Sequence, residues 1–443
     1  MRSLRTALLI ACFVPQQGAA HVSEQGLVLL LPTELYILGG VATVTLTFLL
    51  LGLTPDARVK RLFQPVRLPA FRTSRVQQIT RLFSALVLVG LIFTGRFGHH
   101  DPFENPLTLV VWTVFWIGLV SIQGVVFDVW RWINPFRALA IWKRGMFSYP
   151  AWLGRWPAVI FFIAFAGFLL ADPAPADPPR LAMVVGVYTA LTVLGCWVFG
   201  PRWLLRGEFL TVLMRCYSGT ALFGRSVGVP GWRLLQRGAP AFSAALFMLA
   251  LLAVGSFDGL NETFWWLNIL GVNPLEFPGR SAIIAETLVG LGLFLFGLVF
   301  VYCATIWLGH MLARGKGKAR IAMRIFAPSL LPIAVGYHVA HYLTSFLVDI
   351  QYVALFISEH LLDHEFRVTT GFFNTVAAVR LIWLSQAFAV VLGHVVAILV
   401  AHVLALRLYG TRRQATLSQI PLAALMIAYT LFGLWLLASP RGA

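Results

Sequence analysis

Charge and cysteine are both scarce in this chain, and each shortage removes a class of protein. Only 12% of its 443 residues are charged, whereas soluble domains carry roughly 25%, so an ordinary water-soluble fold is excluded. Among the charged residues acids are the scarcer, with 17 Asp and Glu against 34 Lys and Arg. The four cysteines form no CxxC pair and give no disulfide framework. No P-loop, GxGxxG, GxSxG or CxxCH sequence occurs, so nucleotide hydrolysis, dinucleotide binding, lipase-type catalysis and covalent haem attachment lack support. No fixed-period repeat stands out, and no loop is long enough to hold a separate soluble domain.

What is present is apolar. Hydrophobic residues make up 59% of the chain, with 15 Trp and 35 Phe, and the mean hydropathy is +0.82. Runs of about 18 or more apolar residues, long enough to cross about 30 Å of hydrocarbon, recur along the whole length. The ten-residue alternation of an outer-membrane barrel is absent. The expected fold is therefore all-α, a polytopic transmembrane helical bundle with spans near 32–54, 80–97, 106–129, 152–171, 181–200, 240–256, 282–309, 326–349, 379–406 and 417–438.

Residues 1–20 read as a signal peptide: Arg2 and Arg5 precede the apolar core Ala7–Val14, and Gly18-Ala19-Ala20 supplies small residues for cleavage. Cleavage there makes His21 the mature N-terminus and leaves 21–443 as one integral membrane domain. A rival lipoprotein-type cleavage before Cys12 leaves a very short apolar core. The +17 formal charge does not point to nucleic acid, because the Lys and Arg fall in every second loop. Loops Asp56–Arg81, Trp130–Arg155, Pro201–Arg237, Arg314–Arg324 and Arg407–Arg413 hold most of them, as the positive-inside rule expects of a bacterial inner-membrane protein. Those loops are expected in the cytoplasm, and both mature ends in the periplasm.

Ionisable groups in a membrane span are costly and usually mark a site. His338 and His341 lie three residues apart in the eighth span, on one helical face, and Asp349 follows eleven residues beyond His338 on roughly that face. His394 sits at mid-depth in the ninth span. Imidazole ligates zinc, copper, iron or nickel, and a carboxylate can join as ligand or act as base. Three readings stay open for this group: a site for a divalent transition metal such as zinc or copper, proton or substrate contact, and interhelical hydrogen bonding. Between the eighth and ninth spans, His360 and His364 are four apart beside Glu359 and Asp363, a zinc-helix spacing without the full HExxH motif, or else a solvated polar helix. An N-terminal His21 would offer an amine and an imidazole together, a copper chelate on the same side. Asp128–Arg137, with its aromatic and arginine residues and the break at Asn134-Pro135, reads as an interfacial anchor.

Asp128–Arg137, Gly336-Tyr337-His338-Val339-Ala340-His341-Tyr342 and Phe346-Leu347-Val348-Asp349-Ile350-Gln351-Tyr352 together resemble a family of bacterial multi-pass membrane proteins labelled fenitrothion hydrolase. The resemblance implies cleavage of an organophosphorus triester and carries no list of catalytic residues with it. The expected function is a membrane-embedded hydrolase of lipophilic phosphotriesters. In it His338, His341 and His394 hold a metal, Asp349 is a ligand or the base, and His360 and His364 are available to a second metal. The alternative is a transition-metal transporter or delivery protein in which the same residues form a path and His21 a capture site. Its partners on either reading are the lipid bilayer and a small molecule or ion.

Overall fold

The computed structural model describes residues 27–69, 74–140, 144–276, 279–362 and 366–441. The expected signal peptide, His21 and His364 lie outside the described residues. In hydrocarbon a backbone satisfies its own polar groups only as a helix or a closed barrel, and the apolar runs here become helices. Ten of the helical segments are long and apolar enough to cross a membrane. They contain α1 (Thr33–Leu53), α2 (Ser74–Phe97), α3 (Pro106–Val125), α4 (Trp156–Ala171), α5 (Pro178–Phe199), α6 (Phe242–Asn261), α7 (Ile284–Leu312), α8 (Leu331–Ile357), α9 (Val376–Tyr409) and α10 (Arg412–Ala438). Each predicted span has its helix, so the fold is an all-α polytopic bundle. The ends differ in two places that matter below: α6 continues to Asn261 rather than stopping at 256, and α8 belongs to a helical stretch running unbroken from Ala319 to His360.

Burial ranks the helices from the outside in. Only 11% of the apolar window of α1 and 6% of that of α2 are covered by protein, whereas 89% of that of α6 is. A helix that is apolar all round and buried all round belongs at the centre of a bundle. Around α6 stand α4, α7 and α8, and α8 in turn packs on α3 and α9. The α8–α9 crossing is tight because it is built on glycine. A Cβ at Gly336 would stand 2.4 Å from the Ala389 carbonyl oxygen, and one at Gly393 2.6 Å from that of Pro332. Small residues let membrane helices approach closely where lipid supplies no hydrophobic drive. This crossing fixes the azimuth of α8, and with it the direction of its histidines.

Two features next to α8 also shape the site. Residues Leu109–Leu119 of α3 are wound as a π-helix, a wide form found mostly at functional places. The segment after α3 is pinned by polar contacts: Gln123 Nε2 donates to Asp128 Oδ1 at 3.0 Å and to the Met214 carbonyl at 2.7 Å, Trp130 Nε1 and Asn134 Nδ2 both donate to Thr211 Oγ1 at 3.0 Å, and Arg233 pairs with Asp128 at 3.5 Å. Asp128–Arg137 is thus a junction with the short helix Phe209–Tyr217, with Trp130, Asn134 and Phe136 buried against protein rather than spread on a membrane interface. Glu208 caps that short helix through the amides of Leu210 and Thr211 at 2.7 and 2.8 Å and accepts from the Tyr188 hydroxyl of α5. Burial pushes its carboxyl above the ordinary range. A two-residue antiparallel pair, β1 (Val66–Arg67) with β2 (Ser226–Val227), ties two basic connections together.

Candidate functional site

Asp258 sits one turn from the end of α6, the most buried helix, and is itself only 7% exposed. A carboxylate there is expensive unless it is paired and hydrogen-bonded. Two side chains of α8 meet that demand. His341 Nε2 lies 3.1 Å from Asp258 Oδ2, and the Tyr342 hydroxyl donates to the same oxygen at 2.6 Å. His341 is likewise 7% exposed. Because the carboxylate accepts at Nε2, the proton of a neutral imidazole belongs on that nitrogen, and Nδ1 is left as a lone pair. Nδ1 has no protein partner among the described residues.

His338, one turn earlier on α8, is fixed by a different element. Its Nε2 is 3.0 Å from the Trp116 carbonyl oxygen in the π-helical part of α3. Its ring meets those of Trp116, Tyr217 and Tyr342 edge-on at 5.6, 6.1 and 5.0 Å. Tyr337 stacks on His341 with centroids 5.7 Å apart and planes 12° apart, and its hydroxyl has no protein partner among the described residues. That hydroxyl is pressed against Gly259: a methyl there would lie 2.0 Å from the oxygen and 3.5 Å from His341 Nδ1. The glycine is what lets Tyr337 and His341 sit over α6.

These groups surround a cavity of about 20 Å³. Asp258, Tyr337, His338, His341 and Tyr342 form its polar side, and Phe162, Leu213, Leu251 and Val254 close it with apolar surface. A cavity needs roughly 10–15 Å³ of such volume to hold a water, so this one accepts a single water beside groups able to bond it. It is far below the roughly 300–1,000 Å³ of a site for a drug-sized ligand.

The sequence-predicted residues separate into different places. His338 and His341 share the cavity. Asp349, half-buried further along α8, does not line it. His394 is buried on α9, where Nδ1 donates to the Val390 carbonyl at 2.8 Å and the ring stands 6.4 Å from that of Tyr429. The Tyr429 hydroxyl bonds Ser256 Oγ of α6 at 2.5 Å, which makes a second polar contact beside the first site and separate from it. His360 is exposed, bonded through Nδ1 to the Phe356 carbonyl of its own helix at 2.9 Å. Among the described residues no three of His, Cys, Asp and Glu gather where they could hold one metal ion.

Asp258 is the residue that sequence reasoning missed. The hydropathy span 240–256 leaves it in the connection that follows. The available signal is the lack of any proline or other charged residue between Phe242 and Asp258, so the helix can carry the carboxylate inward. The chain matches no family model, no curated protein and no solved structure.

Proposed function

We propose that the protein is a membrane-embedded hydrolase in which His341, oriented by Asp258, is the general base for a water held in the cavity. One observation supports this reading above the others: an imidazole that lines a water-sized space, with one nitrogen bound to a buried carboxylate and the other without a protein partner among the described residues. Asp258 selects the tautomer and stabilises the imidazolium that forms, the task a carboxylate performs in a catalytic triad. The water gives its proton to Nδ1, its oxygen attacks phosphorus, and the ester oxygen leaves as the conjugate base of an acidic alcohol or phenol. Tyr342 holds the carboxylate in place, and His338 lines the same space. The substrate class, a lipophilic phosphotriester, follows from the resemblance carried by Asp128–Arg137 and Gly336–Tyr352.

Catalytic zinc normally takes three protein ligands. The described residues offer His338 and His341 together and His394 elsewhere, so this reading gives the water to His341 rather than to a metal. Elemental analysis of the purified protein tests that choice: the reading expects turnover without stoichiometric zinc or copper. We also place the protein in a bacterial inner membrane with its basic connections in the cytoplasm and its mature ends in the periplasm, on the strength of the charge alternation.

The size of the cavity favours a second reading, a proton-coupled carrier in which Asp258 and His341 take up and release the coupled proton. Intramembrane acid–histidine groups serve that role widely. Proteoliposomes separate the two. A hydrolase releases phenol from a triester such as fenitrothion in leaky and sealed vesicles alike, whereas a carrier moves protons across sealed vesicles and releases no product. Absence of product at any pH would end the hydrolase reading.

A further inference from the structure

A second cavity, of about 720 Å³, opens on another side of the short helix Phe209–Tyr217, where the basic connections meet the helix ends. Its wall carries four arginines, Arg155, Arg206, Arg215 and Arg237, and no carboxylate. Among the described residues none of the four is within ion-pair distance of an acid; Asp128 pairs with Arg233, which does not line the cavity, and Glu208 caps the short helix. Arg206, Arg215 and Arg237 are exposed and line the space. Arg237 donates only to neutral oxygens, the Arg215 carbonyl at 2.7 Å and Ser218 Oγ at 3.2 Å, and Arg206 rests on the Tyr149 ring at 5.7 Å. Four like charges around one concavity repel one another until an anion joins them.

The remaining wall is apolar. Met248 lies near the start of α6 and Pro328 just before α8, so the space reaches from the level of the basic connections into the ends of the spans. Guanidinium groups bind phosphate oxygens in pairs, and basic pockets between membrane helices on the positive face hold lipid head groups. The volume also falls within the usual range of ligand sites.

We propose that this cavity is a binding site for a phosphate ester, with the arginines on the phosphate and the apolar wall along an attached hydrocarbon chain. An anionic phospholipid is one source of that group and a water-soluble phosphate ester is the other. The site is independent of the His341 chemistry and stands or falls separately from it.

The test uses the purified, delipidated full-length chain in detergent, with native mass spectrometry to count bound short-chain phosphatidylglycerol, phosphatidylcholine or glycerol 3-phosphate. The proposal expects the anionic lipid to bind about tenfold more tightly than the zwitterionic one. Equal binding of glycerol 3-phosphate would identify the soluble source and leave the site in place. The double variant Arg206→Gln/Arg215→Gln should lose most of that preference, and the Lys/Lys pair should keep part of it. Arg58→Gln, an exposed arginine of another connection, should change nothing. Wild-type lipid preference in the Gln/Gln variant, or an equal loss in Arg58→Gln, would overturn the proposal, since either means diffuse attraction to a basic face.

Discussion

At the scale of single residues, the contact between Gly259 and Tyr337 decides whether His341 can occupy its place. Gly259→Ala puts a methyl 2.0 Å from the Tyr337 hydroxyl, and overpacking of this kind typically costs about 1–3 kcal/mol. Thermal unfolding in detergent should show that loss, together with reduced turnover as the ring and the stacked imidazole shift. Gly255→Ala, one turn earlier, meets Tyr337 Cδ1 at an ordinary 3.6 Å and should be close to neutral. In a Tyr337→Phe background the Gly259→Ala penalty should shrink, because the nearest ring atom is then Cζ at 3.3 Å. A penalty that persists there would place the strain elsewhere. His338 and His341 were legible in the sequence because histidines three apart in an apolar run are rare and helix geometry puts them on one face. Their carboxylate was not. Asp349 shares their helix, but the pairing acid is Asp258, more than eighty positions earlier, and only packing of α6 against α8 brings it near.

At the scale of elements, hydropathy found all ten spans, since length and apolarity are local properties that a window can measure. The boundaries failed where a charge is paid for by another helix: α6 reads as ending at 256 until His341 and Tyr342 are seen to accommodate Asp258. The π-helical turn of α3 and the glycine crossing of α8 with α9 left no comparable trace, because both depend on what lies opposite. The crossing makes its own prediction. A Cβ at Gly336 or Gly393 would meet a backbone oxygen at 2.4 or 2.6 Å, which no rotamer change relieves. Gly336→Ala and Gly393→Ala should each lower the yield of monodisperse protein and its unfolding temperature more than Gly39→Ala on α1, where nothing lies within 4 Å. Equal stability of all three would show that α8 and α9 are free to separate.

At the scale of the whole molecule, the charge alternation predicts that ten crossings put the basic connections on one face and the polar connections on the other. Reporter fusions at residues 145 and 318 should report the cytoplasm, and fusions at 101 and 275 the periplasm; the reverse pattern would invert the bundle. Both cavities touch the short helix Phe209–Tyr217, the water-sized one through Leu213 and Tyr217 and the arginine-lined one through Val212, Arg215 and Cys216. The central claim is that Asp258 and His341 act as one base, and a double-mutant cycle on triester turnover in proteoliposomes tests it most directly. Asp258→Asn and His341→Gln should each lower turnover by about 10²–10⁴-fold, the usual worth of a general base. The double variant should be no slower than the worse single one, as expected of residues that work as a unit. Losses that multiply in the double variant, or folded single variants that keep wild-type turnover, would contradict the account.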